Sequence, residues 1–529
     1  MTRSKFLLPL AACLLALGPV AARAQMLEAH VREGALTGAR ERAVSAFLGI
    51  PYAAPPVGAN RWRPPAPPSA WSGVRQASQF SASCQQAVGT GGFGPWTHEY
   101  VVSGAVSEDC LYLNVWTPAQ ATGDRLPVLV WIHGGGFSGG SASVPIYDGA
   151  KLAAQGIVVI GINYRLGLYG FMAHPALSAE SPAGASGNYG LLDQIAALKW
   201  IKANVAAFGG DPDRITIAGQ SAGAASVHHL IASPLARGLF ARAIAQSGSG
   251  MGLAVPDRTT AEQRGVALMQ AAGVTGIAQL RALSAAQLDA ALGKMMMGAR
   301  PAGGLPFAPI IDGLVLPDAD HAGANINDTP ILTGMTADEM TGLDPAIDHA
   351  SSADVTARIE RDYGALAPEV LKLYPAVTDA QANATVRALA RDRGLASMAL
   401  WAEQRQKTSR NPIYAYLWTH WEPGPDAARY RAFHSSEIPY VFGTLDASPE
   451  RPFTDEDQRL SDELSGYWVN WVKTGDPNGP GLSQWPVFQT DGEAILEIGT
   501  RTMIRPILAP ERLRIFREHV ARGGTLGLF

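Results

Sequence analysis

The sequence predicts an α/β fold, built as a large, mostly parallel, twisted sheet that is flanked by helices and capped by helical insertions. Strand-like apolar runs recur along the chain, and amphipathic helical patterns separate several of them. Runs that are apolar throughout indicate strands buried on both faces, and strands that alternate with helices form parallel sheets. The length of 529 residues alone would suggest about three domains, but this alternation predicts one large domain.

The predicted strands carry the sheet from the first quarter of the chain almost to its end. They are 111–116, 127–133, 157–162, 215–219, 242–247, 330–334, 413–418 and 494–498. The clearest helix is 190–208, where apolar residues recur near i, i+3, i+4 and i+7. Residues 256–300 and 352–408 are Ala-rich and helical in pattern, so we expect them to be the insertions that cap the sheet.

Residues 1–24 have the features of a secretory signal. Two basic residues precede an apolar run over 6–17, and Ala22-Arg23-Ala24 forms an A-x-A-like cleavage site. We therefore expect an exported chain, periplasmic or secreted, whose single α/β domain spans 25–529. The alternative is a lipoprotein signal at Leu10-Ala11-Ala12-Cys13, which would leave Cys13 lipidated.

The charge balance excludes some classes of partner. Without residues 1–24, 39 basic residues face 46 acidic ones, a net charge of −7. Such a balance argues against nucleic acid or an anionic membrane as a partner. No later apolar run reaches the 18 or so residues that a transmembrane helix needs.

Two cysteines, Cys84 and Cys110, remain after the signal. A pair of cysteines in an exported chain predicts a disulfide, with two free buried thiols as the alternative. The enclosed segment 84–110, called the disulfide loop below, is rich in glycine and aromatic residues. Closing it would contribute roughly 3–4 kcal/mol in the chain-entropy model.

The stretch RITIAGQSAGAAS, residues 214–226, matches the nucleophile-elbow pattern G-x-S-x-G around Ser221. In such an elbow a strand turns so sharply into a helix that the serine is strained and exposed, and the residues two positions away are glycines. Gly136-Phe137-Ser138-Gly139-Gly140 contains a second match, but no strand-to-helix context follows Ser138. The context therefore favours Ser221 as a nucleophile.

A second glycine-rich motif follows the strand 127–133. His133-Gly134-Gly135-Gly136 is typical of a loop whose backbone N–H groups hold the oxyanion of an acyl-transfer intermediate. Gly135, Gly136 and Ala222 would supply three donors, and each such donor stabilises the transition state by about 3–4 kcal/mol. His133 itself is predicted to be structural.

A serine nucleophile needs a histidine base and an acid, which follow it in this order in such chains. Downstream of the strand 330–334 lie four histidines, His349, His420, His434 and His519. The polar stretch FHSSEIPYVFG favours His434. For the acid, Asp338 and Glu339 compete within TGMTADEM, and the pattern does not separate them.

Together these motifs resemble the type-B carboxylesterases, the α/β-hydrolase family that includes cholinesterases and many bacterial esterases. The resemblance extends over most of the chain after the signal. Its motifs are EDCLYLNV, WIHGGGFSGG, NYRLG, the stretch 187–223, FAPIIDGLVLP, HSSEIPYVFG and YWVNWVKTGDPNG. It implies that Ser221 is the nucleophile, His434 the base and Glu339 the acid, with Gly135, Gly136 and Ala222 as the oxyanion hole.

The resemblance also implies supporting contacts. Cys84 would pair with Cys110, Arg61 with Glu108, and Ser247 would stand behind the triad as a supporting residue. Three departures matter: Gln220 replaces a glutamate that cholinesterases carry beside the nucleophile, Met340 replaces a glycine, and Trp96 does not fall at the spacing of the choline-binding tryptophan. Cation substrates need carboxylates and aromatic faces, so choline esters are not expected.

The sequence therefore predicts a serine carboxylesterase that cleaves small-molecule carboxylic esters through an acyl-enzyme and requires no metal or organic cofactor. A lipase is one alternative, although the disulfide loop shows no strong amphipathic helix that could serve as a lid. A non-catalytic adhesion-like protein is another, but such proteins lack members of the triad. The pattern carries no signal for the acyl group, the alcohol or the oligomeric state.

Overall fold

The computed structural model describes residues 25–89, 91–250, 255–298, 305–318, 327–489 and 493–527. The signal-like residues 1–24, including Cys13, lie outside them. The strands are β1 Glu28–Val31, β2 Gly34–Thr37, β3 Ala39–Glu41, β4 Val44–Pro51, β5 Val74–Gln76, β6 Ser83–Cys84, β7 Val106–Ser107, β8 Tyr112–Thr117, β9 Leu126–Ile132, β10 Val158–Ile162, β11 Gly210–Gln220, β12 Arg242–Gln246, β13 Ile331–Thr336, β14 Ile413–Trp418, β15 Ala494–Ile498 and β16 Met503–Pro506.

Eleven of these strands form one large sheet in the order β16-β15-β14-β13-β12-β11-β9-β10-β8-β4-β3. Its centre, from β15 to β10, is parallel. The flanking pairs β15–β16, β10–β8, β8–β4 and β4–β3 are antiparallel. The predicted α/β class is confirmed, with antiparallel strands added at both edges of the sheet.

The helices are α1 Ala150–Ala153, α2 Gly167–Phe171, α3 Pro175–Glu180, α4 Tyr189–Asn204, α5 Ala222–Ala232, α6 Arg258–Ala271, α7 Ile277–Ala282, α8 Ala285–Gly298, α9 Ser352–Tyr363, α10 Ala367–Leu373, α11 Asp379–Gln406, α12 Ala427–Tyr430, α13 Ile438–Phe442, α14 Asp455–Thr474 and α15 Pro510–Ala521. The central β9 and β11 contact both α5 and α14. The two Ala-rich segments form α6–α8 and α9–α11, as predicted.

All eight predicted strands are present, whereas the N-terminal strands β1–β7 and the C-terminal strand β16 were not predicted. Strand β4 is buried along nearly its whole length although the sequence analysis did not single it out. In the sheet it pairs with β8, and the sequence pattern of β4 by itself did not predict this pairing. Among the described residues, no helix combines the length and apolarity needed to cross a bilayer.

The register of the central strands brings their carboxyl ends to one edge. Gly219 pairs with Ile132, Gln220 with Gln246, and Gln246 with Gly334. The order also reverses at β9, which lies between β10 and β11 although it precedes both in the chain. Clefts at such switch points are where open α/β sheets bind ligands.

Candidate active site

Ser221 occupies a one-residue turn between β11 and α5. Its backbone has φ 58° and ψ −123°, a conformation that costs a non-glycine residue energy. A Cβ atom at Gly219 would lie 2.5 Å from the backbone of Gly223, and one at Gly223 would lie 2.0 Å from the Ile132 carbonyl oxygen. Only glycine therefore fits at either side, as the sequence pattern predicts.

Ser138, the centre of the second G-x-S-x-G match, has a different setting. It lies in a turn after β9 that leads into no helix, and its hydroxyl donates to the Gly135 carbonyl at 3.3 Å. The context that favours Ser221 in the sequence is therefore present in the fold at Ser221 and not at Ser138.

The His434 imidazole forms a buried hydrogen bond from Nδ1 to Oε2 of Glu339. The other carboxylate oxygen of Glu339 accepts from the Ser247 hydroxyl at 2.5 Å and from the Thr336 N–H at 2.8 Å. Three donors thus fix the carboxylate, and the carboxylate in turn fixes the imidazole. Ser247 has the supporting position that the resemblance implies.

Asp338, the competing acid, points elsewhere. Its backbone N–H donates to the Ala432 carbonyl, and its carboxylate lies 3.8 Å from the Arg387 guanidinium. The two adjacent acids therefore project in different directions, and Glu339 is the one that meets His434.

The remaining three candidate histidines have other surroundings. His420 lies 2.7 Å from the Asp457 carboxylate, His519 is on α15 against Tyr363, and His349 is exposed. None of the three lines the cavity at the carboxyl edge of the sheet.

The imidazole of His434 is also contacted by the residue before the nucleophile. The Gln220 amide nitrogen lies 3.1 Å from His434 Nε2 and 3.4 Å from Nδ1. Because this side chain is an amide, it brings no negative charge to the imidazole. A glutamate at this position would add one.

The HGGG loop lies directly above the elbow. Gly135 and Gly136 have φ values of 106° and 61°, which favour glycine. No hydrogen bond within the described ranges has the N–H of Gly135, Gly136 or Ala222 as its donor. All three residues line the same cavity as Ser221.

His133 lies just before this loop and is fully buried. Its ring stacks on Tyr164 with 4.5 Å between centroids, and Nδ1 lies 2.9 Å from the Gly134 carbonyl. Burial lowers the pKa of His133 to about 4. The imidazole is therefore neutral near pH 7, which agrees with the predicted structural role.

Glu437 is a buried carboxyl near His434 that the sequence analysis did not single out. Gln246 donates to its Oε1 at 3.2 Å, while its Oε2 has no hydrogen-bond partner. Burial, followed by the charge of Glu339, raises the pKa of Glu437 to about 7. Its position three residues after His434 in HSSEIPYVFG was the available signal.

A cavity of about 950 Å³ opens above these groups. Its walls are largely apolar and aromatic, including Trp96, Tyr147, Leu168, Tyr169, Leu292 and Leu305. Asp289 is the only carboxylate among the described lining residues, and it accepts from the Tyr169 hydroxyl at 2.9 Å. This volume suits a drug-sized ligand.

Covalent and ionic contacts lie next to Gln85 and Gln86, which line the cavity. Cys84 and Cys110 form a disulfide, which confirms the predicted pair. Arg61 makes a bidentate ion pair with Glu108, at 2.6 and 2.5 Å, beside it. Among the described residues, the one cluster of three metal-ligand side chains is His98, Glu99 and Glu450, and none of these lines the cavity.

Comparison with known proteins places this chain among esterases. The profile of the carboxylesterase family matches residues 25–516. A fumonisin B1 esterase of Sphingopyxis macrogoltabida is 40% identical over 504 residues, covering 91% of this chain and 88% of the relative. A para-nitrobenzyl esterase of Bacillus subtilis is 35% identical, covering 89% and 94%.

A solved structure agrees with the sequence comparisons. The crystal structure of a Geobacillus stearothermophilus carboxylesterase at pH 6.2 superposes with a TM-score of 0.76 and 34% identity. It covers 94% of this chain and 99% of that one.

Proposed function

The chain belongs to the carboxylesterase family and is a carboxylic ester hydrolase, and from this premise we propose that it is an exported serine esterase with a Ser221–His434–Glu339 triad. The observation that carries the triad is the buried hydrogen bond from His434 Nδ1 to Glu339. This bond leaves Nε2 as the basic nitrogen, in the tautomer that a general base needs.

In the acylation step, His434 takes the proton of the Ser221 hydroxyl as the oxygen attacks the ester carbonyl. Glu339 orients the imidazole and stabilises its charged form without taking the proton. The tetrahedral intermediate collapses when His434 gives the proton to the alcohol, which leaves. The acyl group is then an ester of Ser221.

The negative charge of the intermediate falls on the former carbonyl oxygen. The N–H groups of Gly135, Gly136 and Ala222 converge on that oxygen, and the N-terminus of α5 adds its positive dipole end. Because the fold fixes the backbone conformation of these three residues, the donors need no reorganisation during the reaction. Water, activated by His434, then hydrolyses the acyl-enzyme.

The cavity supports a small-molecule ester as the substrate. Its volume and apolar walls fit an uncharged organic ester, and the relatives are named for fumonisin B1 and for para-nitrobenzyl esters. A lipase would need a mobile apolar lid. The disulfide loop is instead tied down, because Trp96 and Tyr100 are buried within it at 7% and 9% exposure.

The proposal includes export and a single catalytic domain over 25–529. The Cys84–Cys110 disulfide supports an oxidising compartment. The family match over 25–516 and a sheet that draws strands from Ala39 to Pro506 support one domain. N-terminal sequencing of the exported protein tests cleavage after Ala24 against lipidation at Cys13.

Hydrolysis of p-nitrophenyl esters from acetate to palmitate tests the reaction. We expect turnover of short and medium chains, and a loss of roughly 10⁴-fold or more in kcat for Ser221→Ala. Ser138→Ala is the matched control, because it removes a serine from the same motif in the wrong context. A fluorophosphonate should label wild type and Ser138→Ala but not Ser221→Ala.

Three other outcomes of these experiments would each contradict part of the proposed function. Activity and labelling that survive in Ser221→Ala would mean that another serine is the nucleophile. A preference for palmitate over butyrate would favour the lipase. A wild-type protein that is inert to every ester and to the fluorophosphonate would favour the adhesion-like alternative.

A further inference from the structure

A group of polar side chains on the disulfide loop lies outside the cavity. His98 and Glu99 belong to a single 3-10 turn, His98–Tyr100, and Glu450 reaches them from a turn 351 residues later in the chain. His98 and Glu450 are half exposed, at 52% each, whereas Glu99 is 1% exposed. The cluster therefore has one buried member and two members at the surface.

Hydrogen bonds to one of its two carboxylate oxygens, Oε1, hold the Glu99 side chain in place. Oε1 accepts from the Thr97 hydroxyl at 2.7 Å and from Arg451 Nε at 2.8 Å. Oε2 is buried and has no hydrogen-bond partner. An unpartnered buried carboxylate oxygen is costly, so its presence calls for a ligand.

This oxygen, which makes no hydrogen bond, faces His98. Glu99 Oε2 lies 3.4 Å from His98 Nδ1, and Nδ1 lies 3.0 Å from Glu450 Oε1. The three ligand atoms all lie within 4.8 Å of one another. Two ligands at about 2.0–2.2 Å from a tetrahedral metal ion are separated by roughly 3.3–3.6 Å, and the two edges of this triangle that meet at His98, 3.4 and 3.0 Å, are close to that separation.

We propose that His98, Glu99 and Glu450 bind a divalent transition-metal ion of the Zn²⁺ class, with solvent as the fourth ligand. One imidazole nitrogen and two carboxylates suit zinc, whereas Ca²⁺ takes six to eight oxygens. Thr97 and Arg451 orient the Glu99 carboxylate from behind, as outer-shell partners do in metal sites. The ion ties the disulfide loop to the segment around Glu450.

The competing explanation for this cluster is that His98 carries a proton and no metal ion binds. A protonated His98 could lie between the two carboxylates and neutralise them without a metal. Such an ion pair at the surface is weak and specific for no metal ion. The two explanations differ in whether the protein takes up zinc stoichiometrically through these three residues.

Isothermal titration of the full-length exported protein with ZnCl₂, after EDTA treatment and desalting, decides between them. We expect one equivalent to bind, and His98→Ala and Glu450→Gln each to weaken binding by more than about 100-fold. His30→Ala is the control, since His30 is exposed on β1 and should leave the titration unchanged. None of these side chains lines the cavity, so each variant's esterase activity reports independently on its fold.

A second readout follows the structure directly. Zinc should raise the Tm of wild type and of His30→Ala but not that of His98→Ala or Glu450→Gln, because a ligand that binds only the folded state stabilises it. Binding weaker than about 100 μM, or binding that survives in His98→Ala, would overturn the proposal. Retained ester hydrolysis together with either result would leave the proposed triad standing.

Discussion

The indole Nε1 of Trp96 donates a 3.0 Å hydrogen bond to the backbone carbonyl of His434. The indole also packs edge-on against Phe433, with 5.9 Å between ring centroids. The disulfide loop thus reaches across 338 residues of chain to hold the backbone that carries the proposed base. Arg451 reinforces the contact by donating to the Pro95 carbonyl at 3.0 Å.

Trp96→Phe tests this tie, because phenylalanine keeps an aromatic ring but loses the donor. We expect kcat to fall about three- to tenfold with a small change in KM, since a slightly misplaced imidazole weakens the transition state more than substrate binding. Steady-state kinetics with a p-nitrophenyl ester, and the pH profile of kcat, check this. An unchanged kcat together with a lowered Tm would mean that Trp96 contributes to packing and does not position His434.

The adjacent acids Asp338 and Glu339 provide a matched pair of variants. Glu339→Gln should lower kcat by about 10³–10⁴-fold, because the amide can donate to Nδ1 and stabilise the wrong imidazole tautomer. Asp338→Asn should leave kcat largely unchanged, because its carboxylate faces Arg387 and not His434. If the two variants exchanged these phenotypes, the assignment of the acid would be wrong.

Two glycines provide contrasting sites, because an added Cβ atom would meet tight backbone packing at Gly223 and open space at Gly293. Gly223→Ala should destabilise the protein by about 1–3 kcal/mol and reduce activity, because the added Cβ meets the Ile132 carbonyl and displaces the elbow. Gly293→Ala should stabilise it by about 0.5–1 kcal/mol, because this position inside α8 is open and alanine favours the helix. Thermal unfolding and ester hydrolysis of both variants give the comparison, and equal Tm shifts would contradict it.

Glu437 predicts a pH dependence of stability. Its buried carboxyl faces Glu339, His434, Gln246, Tyr416 and Tyr147. Its pKa is raised from the ordinary 4.5 to about 7, so the native state binds its proton more tightly than the unfolded chain does. The stability that this proton contributes is complete below pH 4.5 and is lost as the pH rises through about 7.

Glu437→Gln mimics the protonated acid at every pH. The Tm of the variant minus that of wild type should therefore increase from pH 5 to pH 8, by an amount equivalent to up to about 3 kcal/mol of unfolding free energy. Differential scanning fluorimetry across this range measures it. A difference that stays constant with pH would mean that Glu437 titrates normally.

The local motifs could be predicted from the sequence because they depend on residues that are close together in the chain. The strand runs, the helical periodicity of 190–208 and the glycines around Ser221 each obey short-range steric and hydrophobic rules. The pairing of Cys84 with Cys110 followed from cysteine count alone. Strand β4 was missed because its burial comes from β8, which lies some 60 residues away.

The sequence by itself determined the class of fold, the elbow and the candidate residues, because period, glycine spacing and motif order are properties of adjacent residues. The residue pattern left Asp338 and Glu339 open, the family resemblance implied Glu339, and the tertiary structure shows that Glu339 is the acid that faces His434. Only the tertiary structure revealed that Trp96 holds the His434 backbone and that Glu99 Oε2 is buried without a hydrogen bond. These relationships join residues that are adjacent in space and distant in the chain, where no local pattern can specify direction.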